Sequence, residues 1–547
     1  MACRVNVVAL DYANMPLEHP AADVWTLLAD WAEYAPDAPA FIHGERTIGF
    51  AELLEISLRA AQGLKDLGVG PGDRVALWLP NVPAYPILYL ACVRLGAVAV
   101  AVNTRYRAVE VADIVGRSGA KVLACAPGFR RIDFLSILAD IDPAALDKLA
   151  AIVTVGEEPA SVPPAIEHLG RVPFDRLRSR PRFGTNHAKA NAPCNIFTTS
   201  GTTSAPKFVL HRQGAIAGHS QQVARVFGFP ASDTLSLAIL PLCGVFGFNQ
   251  TMATLAAGKP SVLVESYEIE EIARLIGHHR PTTLFGSDDM YARLLELVPG
   301  ERPFPSIKFA GYGNFNAALA GIAEQAEARG LKLCGLYGMS EVQALYSLQP
   351  PDSPLAQRRL GGGQPTSPLG HVRVRDPETG ELLGPGRPGA LECAGPSLMV
   401  GYYGNDKATA ETMTADGYVR TGDLAELDGK GGFTFLSRMG DVLRLSGFLV
   451  NPLEIETHIQ QVPGIDACQT IAVPGASGVR AVAFVILKPG AVLDEAAVIA
   501  HCKHGLANYK VPVRVFAIDD FPKTPSPNGF KIQRNRLREM AEGLLRS

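Results

Sequence analysis

Two apolar periods alternate along this chain, and that alternation limits its fold more than any other feature. Within 22–35, Val24, Leu27, Leu28, Trp31 and Ala32 fall three and four apart, the spacing that lines one face of a helix. A short strand is predicted over 47–50 and a further helix over 51–67. The turn Gly68-Val69-Gly70-Pro71-Gly72-Asp73 then leads into the strand Arg74-Val75-Ala76-Leu77-Trp78-Leu79. The exchange continues through Val262-Leu263-Val264 and a helix over 270–278. Strands separated by helices pair in parallel, because a parallel connection needs a crossover that a helix supplies. The class is therefore α/β.

From about residue 360 the pattern changes. Gly361-Gly362-Gly363-Gln364-Pro365 and Pro385-Gly386-Arg387-Pro388-Gly389 separate short alternating segments, the pattern of antiparallel strands. At 547 residues the chain exceeds one ordinary core. The expected architecture is a large N-terminal domain over 1–437, with mostly parallel α/β sheets plus a β-barrel-like subdomain. A hinge at 438–441 and a small mobile α+β C-terminal domain over 442–547 complete it; ~110 residues suffice for an independent domain.

Composition excludes several function classes. A 47% hydrophobic, 19% charged chain is that of a soluble globular protein. Its net charge of −3 gives no general attraction to nucleic acid or anionic membrane. The most apolar run, 87–102, is interrupted by Arg94 and is too short to span a bilayer, so no transmembrane segment is expected. The nine cysteines are scattered without a CxxC pair, which excludes the usual structural zinc patterns and fits a reducing compartment. A cytoplasmic location is expected. The oligomeric state is left open, a homodimer included.

Chemistry is concentrated in Thr199-Ser200-Gly201-Thr202-Thr203-Ser204-Ala205-Pro206-Lys207, directly after the strand-like Asn195-Ile196-Phe197-Thr198. Backbone N–H groups of a small-residue loop can converge on oxyanions, and the hydroxyls and lysine add donors. A polyphosphate is the natural ligand, although the Walker spacing is absent. Further blocks follow: Tyr337-Gly338-Met339-Ser340-Glu341, Thr421-Gly422-Asp423, Arg438, Ser446-Gly447-Phe448, Pro452-Leu453-Glu454-Ile455-Glu456 and Gly529-Phe530-Lys531-Ile532-Gln533-Arg534. In this order and spacing the chain resembles the adenylate-forming superfamily, and within it the acyl-CoA synthetases. The resemblance covers nearly the whole chain.

The resemblance implies ATP and CoA as co-substrates, Mg²⁺, a small-molecule carboxylic acid, and a role for each block. Thr199 to Ser204 and Lys207 would hold the β- and γ-phosphates. Tyr337 would stack on adenine, with Gly313, Gly338 and Met339 around the nucleotide. Ser340 would meet a phosphate, and Glu341 would hold Mg²⁺, a hard cation suited to carboxylate and phosphate oxygens. Asp423 and Arg438 would hold the ribose. Lys531 would bridge the substrate carboxylate and the α-phosphate, with Lys523 as its competitor across a segment longer than in relatives. Gly440 would be the hinge residue, and Ser446, Gly447 and Phe448 would border the CoA tunnel. Relatives usually have Gly at the positions of Ser204 and Phe208.

The segment Leu240-Pro241-Leu242-Cys243-Gly244-Val245-Phe246-Gly247 matches the acyl-pocket motif, with Gly244 where relatives usually carry His. Cys243, Gly244, Phe246 and Phe248 are the pocket candidates. No Asp is present there to hold an amine, so a neutral pocket for a fatty or aromatic acid is expected. Two alternatives stay open: an acyl-AMP ligase that serves a carrier protein, and a non-catalytic nucleotide- or acyl-binding paralogue.

Overall fold

The computed structural model describes residues 20–156, 161–199, 206–315, 319–440, 442–445, 448–475, 478–526 and 529–546. The first sheet has eight strands. Arg74–Trp78 lies between Val98–Ala101 and Ala120–Cys125, parallel to both, and Val98–Ala101 also pairs in parallel with Pro193–Thr198. Phe208–Arg212 returns antiparallel to Pro193–Thr198, and Gly401–Tyr402 adds antiparallel to it at the edge. The run 87–102 is the buried helix Ala84–Leu95 followed by the buried strand Val98–Ala101. Gly96 ends that helix at φ 69, a left-handed cap that favours glycine.

The second sheet has fourteen strands. Thr283–Ser287, Phe309–Gly313 and Leu333–Tyr337 are parallel neighbours at its middle. Beyond Leu333–Tyr337 the pairing turns antiparallel, through Ser347–Leu348, Gly362–Pro365, Phe433–Arg438, Val419–Leu427 and Gly389–Ala394. The antiparallel strands expected after residue 360 are thus present. Their hydrogen-bonding order continues the parallel sheet, because Leu333–Tyr337 takes an antiparallel neighbour on its other edge.

The helix Val245–Ala256 lies between the two sheets' cores. Phe248 and Met252 pack into one apolar cluster, Phe246 and Ala253 into the other. A helix apolar on all sides is stable only when covered on all sides. The strand predicted at 47–50 is Arg46–Gly49; Phe50, fully buried, already opens the helix Phe50–Asp66. The C-terminal part is α+β. Ile465–Gly475 and Gly478–Leu487 pair antiparallel, Arg514–Ala517 joins in parallel, and the helices Pro452–Ile459 and Glu495–Gly505 contribute to the same apolar cluster. Among the described residues no helix is long and apolar enough to cross a membrane.

Candidate active site

The proposed phosphate loop springs from a defined neck. Thr199 donates its N–H to the Lys207 carbonyl at 3.0 Å, so the chain leaves and re-enters the sheet at one point. Ser200, Gly201, Thr202, Thr203 and Ser204 lie outside the described residues. Phe208, where relatives usually have Gly, opens the returning strand opposite Thr198 and is 1% exposed. Its bulk fills core. The Arg117 guanidinium lies 4.3 Å from that ring, and its Nη1 donates to the Pro206 carbonyl at 3.0 Å. Arg117 was not among the sequence candidates, since nothing local ties a helix residue to a loop 89 positions away.

Lys207 and Glu341 meet at a residue that the motifs did not single out. The Lys207 Nζ lies 4.6 Å from the centre of the Tyr402 ring, and the Tyr402 hydroxyl donates to Glu341 Oε1 at 2.7 Å. Tyr402 is held there because it pairs with Val209 at the sheet edge, while the Met399 N–H donates to the Glu341 carbonyl at 2.8 Å. Burial, then the adjacent carboxylate, raises the phenol's pKa, so it stays a donor. Glu341, 6% exposed, sits in the single turn Ser340–Val342 that follows the strand Leu333–Tyr337.

Cross-strand register builds the proposed ribose end. Asp423 and Arg438 are direct partners on adjacent strands, and their side chains pair at 3.0 Å. The Tyr337 hydroxyl donates to the other Asp423 oxygen at 2.6 Å. The Tyr337 ring is 8% exposed and packs edge-on to Phe433 and tilted against Phe435. Tyr337, Asp423 and Arg438 are therefore one connected group. Gly313 ends the strand Phe309–Gly313, and a Cβ there would lie 2.5 Å from the ring of Phe315, itself 56% exposed. Tyr312 turns inward and donates to the Arg359 carbonyl.

After Glu341 the backbone is strained. Gln343, Ala344 and Leu345 have φ of 65°, 48° and 43°, left-handed values that cost non-glycine residues about 1–2 kcal/mol each. Three buried side chains hold the segment by its carbonyls. His211 Nε2 donates to Ser340 at 2.8 Å, Asn249 Nδ2 to Gln343 at 2.5 Å, and His219 Nε2 to Ala344 at 2.9 Å. Burial lowers both histidines to about 4, so both are neutral at pH 7.

Gly244 caps the helix Val245–Ala256, and a Cβ there would meet only the Pro241 carbonyl oxygen, at 3.3 Å. Cys243 beside it is a neutral thiol, pushed up to about 12 by burial. Phe248 packs edge-on to Tyr89 and Phe197, and Phe246 edge-on to Phe285, so both rings serve the core. In the C-terminal part, Ser446 and Gly447 lie outside the described residues, and Phe448 opens the strand Phe448–Val450. Lys523–Ser526 and Gly529–Ile532 pair antiparallel, with Lys531 opposite Thr524 and Lys523 opposite Ile532. Lys523 Nζ pairs with Asp520 at 2.6 Å. Gly440 has open space around it.

Among the described residues no three His, Cys, Asp or Glu side chains converge to cage a metal. Glu341 offers a single carboxylate, which suits Mg²⁺, an ion commonly held by one or two carboxylates together with substrate phosphates.

The sequence profile of the AMP-binding enzymes matches residues 28–403, and that of their C-terminal domain matches 454–527. The chain belongs to the AMP-binding enzyme family. Its relatives include the 3-[(3aS,4S,7aS)-7a-methyl-1,5-dioxo-octahydro-1H-inden-4-yl]propanoyl:CoA ligase of Mycobacterium tuberculosis, 32% identical over 517 residues, 92% of this chain and 96% of that protein. A feruloyl-CoA synthase from an Amycolatopsis species is 29% identical over 90% of this chain and 95% of its own. The crystal structure of ATP-bound MatB from Rhodopseudomonas palustris superposes with a TM-score of 0.81 at 26% identity, covering 95% of this chain and 99% of that one. This AMP-binding enzyme is an AMP-forming acid–thiol ligase of the acyl-CoA synthetase branch.

Proposed function

We propose that the residues gathered above divide the two half-reactions of this ligase among them, on a fatty or aromatic acid. In the first, a carboxylate oxygen attacks the α-phosphorus of ATP; the bond to the bridging oxygen of the β-phosphate breaks and pyrophosphate leaves. Lys207 and the 199–204 loop neutralise the β- and γ-phosphates, without which like charges would repel the nucleophile. Asp423 accepts from the ribose hydroxyls, Arg438 donates to the same sugar, and the Tyr337 hydroxyl fixes the Asp423 carboxylate. Glu341 would hold Mg²⁺, which when bound offsets charge on the phosphates. Lys531 donates to the substrate carboxylate and the α-phosphate. In the second half-reaction the CoA thiolate attacks the acyl carbon and AMP leaves, with the segment at Ser446, Gly447 and Phe448 beside the thiol. The 442–547 domain turns about Gly440 between the two steps, a motion in the μs–ms range.

The observation that carries this reading is Tyr402, which touches the phosphate lysine with its ring and the metal carboxylate with its hydroxyl. Pyrophosphate release is measured over a panel of acids with and without CoA, together with thioester formation from supplied acyl-AMP. Lys531→Ala abolishes the first and spares the second. If Lys523→Ala gives that split instead, the catalytic lysine is reassigned. Release that needs a carrier protein in place of CoA would establish the acyl-AMP ligase, and no release with any acid would leave a binding paralogue.

A further inference from the structure

The blocks Pro452-Leu453-Glu454-Ile455-Glu456 and Gly529-Phe530-Lys531-Ile532-Gln533-Arg534 meet through their last residues. Arg534 Nη2 donates to Glu456 Oε1 at 3.0 Å, and the Thr470 N–H donates to the same oxygen at 2.8 Å. Arg534 Nη1 also reaches the Thr470 carbonyl at 3.4 Å. Glu456 is fully buried on the helix Pro452–Ile459, and Thr470 is fully buried on the strand Ile465–Gly475. Arg534 opens the helix Arg534–Arg546. Two apolar side chains of similar volume would join these elements about as firmly. What the ion pair adds is direction, since charge-assisted hydrogen bonds restrict angle as well as distance.

The part so directed is the strand that runs into Arg534. Gly529–Ile532 and Lys523–Ser526 form a two-stranded sheet, separate from the three-stranded sheet of the same domain. A two-stranded ribbon is marginal on its own and holds no fixed direction without support. Its foot is tied where the Gln533 N–H donates to the Pro522 carbonyl at 2.8 Å and Gln533 Nε2 to Thr524 Oγ1. Phe521 and Ile532 pack there on an apolar cluster that includes Ile471, Phe484 and Leu537. Apolar packing holds the foot down but is not directional. Lys531 stands on this ribbon, three residues before Arg534 and opposite Thr524.

We propose that Glu456 and Arg534 are positioning residues for adenylation: their buried pair aims the ribbon that carries Lys531. The inference rests on the assignment of Lys531 made above and adds the device that places it. A misplacement of about 1 Å costs as much as a hundredfold in rate, so a ribbon left to swing loses most of the lysine's effect. Thioester formation from supplied acyl-AMP does not use Lys531 in that assignment, and serves as the internal control.

The test uses the full-length enzyme with the best acid of the panel. Glu456→Gln alone leaves the Arg534 charge without its partner, so a lowered melting temperature is expected. Glu456→Gln combined with Arg534→Met removes both charges, keeps an acceptor for the Thr470 N–H and recovers most of that loss. In the double variant kcat for pyrophosphate release falls about ten- to a hundredfold, KM for ATP stays within about twofold, and thioester formation from acyl-AMP is unchanged. Hydrogen exchange at 523–526 and 529–532 becomes several-fold faster, while Ile465–Gly475 and Gly478–Leu487 exchange as in wild type. Release that recovers together with the melting temperature assigns the pair to stability alone and overturns the proposal. Unchanged exchange across the ribbon, or an equal loss in both half-reactions, also overturns it while leaving acid activation standing. Lys531→Ala is assayed beside these variants; if it shows no split between the half-reactions, the lysine assignment falls and this inference with it.

Discussion

His211 and His219 give the enzyme an acid sensitivity whose size follows from their burial. Each ring donates Nε2–H to a carbonyl of the strained segment, and each is held at about 4 against an ordinary value of 6.5. For His211, protonation would also place an N–H on Nδ1, which has no partner among the described residues. A depressed pKa means that the unfolded chain binds the proton more readily than the folded one. The stability is therefore complete above pH 6.5 and is lost as the pH falls from 6.5 toward 4. At ~1.4 kcal/mol per pH unit, full loss is on the order of 3 kcal/mol per ring, of which about 2 kcal/mol is gone by pH 5. A body of ~400 residues has an unfolding entropy near 0.8 kcal/mol/K, so each histidine lowers the melting temperature by roughly 2–3 °C between pH 7.5 and pH 5. Thermal melts of wild type, His211→Gln and His219→Gln across that range measure it. Glutamine keeps a donor but does not titrate, so each variant should lose its share of the slope whatever its absolute stability. A wild type and variants separated by a constant, pH-independent offset would refute the reasoning.

Tyr402→Phe keeps the ring beside Lys207 but removes the donor to the Glu341 carboxylate, an interaction worth about 1.5–3 kcal/mol. The Mg²⁺ required for half-maximal pyrophosphate release should rise roughly ten- to a hundredfold, and an unchanged Mg²⁺ titration would remove Tyr402 from the site. Gly244→His adds a ring at a position where the Cβ comes within 3.3 Å of the Pro241 carbonyl oxygen alone, so kcat/KM should fall more for bulkier acids, by about ten- to two-hundredfold across a homologous series. An equal loss for every acid would mean that position 244 does not face the acyl group. Gly440→Pro fixes φ near −65° at the proposed hinge and should slow the complete reaction about tenfold or more in stopped-flow, with adenylation and thioester formation each less affected when assayed alone. Equal effects on all three would place the hinge elsewhere.

The elements of the fold were legible because each is written locally. Apolar residues three and four apart marked the helices at 24–34 and 50–66, and continuous apolar runs marked strands such as Arg74–Trp78. The candidate site residues were legible for a similar reason. The proposed phosphate loop, the Gly-Asp pair and the Tyr-Gly-Met-Ser-Glu segment each gather particular residue types within a few positions.

By itself, the sequence determined the strand–helix alternation, the antiparallel change after 360 and the separate chemical blocks. Only the tertiary structure decided which blocks meet. Asp423 faces Arg438 because strand register places them opposite, and Tyr402 reaches Glu341 across 61 positions because a two-residue edge strand pairs beside Phe208–Arg212. Phe208 reads as an unusual loop residue in the sequence and is core in the structure. The left-handed run at 343–345 has no glycine to announce it; it exists because His211, Asn249 and His219, each from a different element, hold its carbonyls. Periodicity reports which face of an element is buried, but contacts between distant residues are set by how whole elements pack, and no local pattern encodes that.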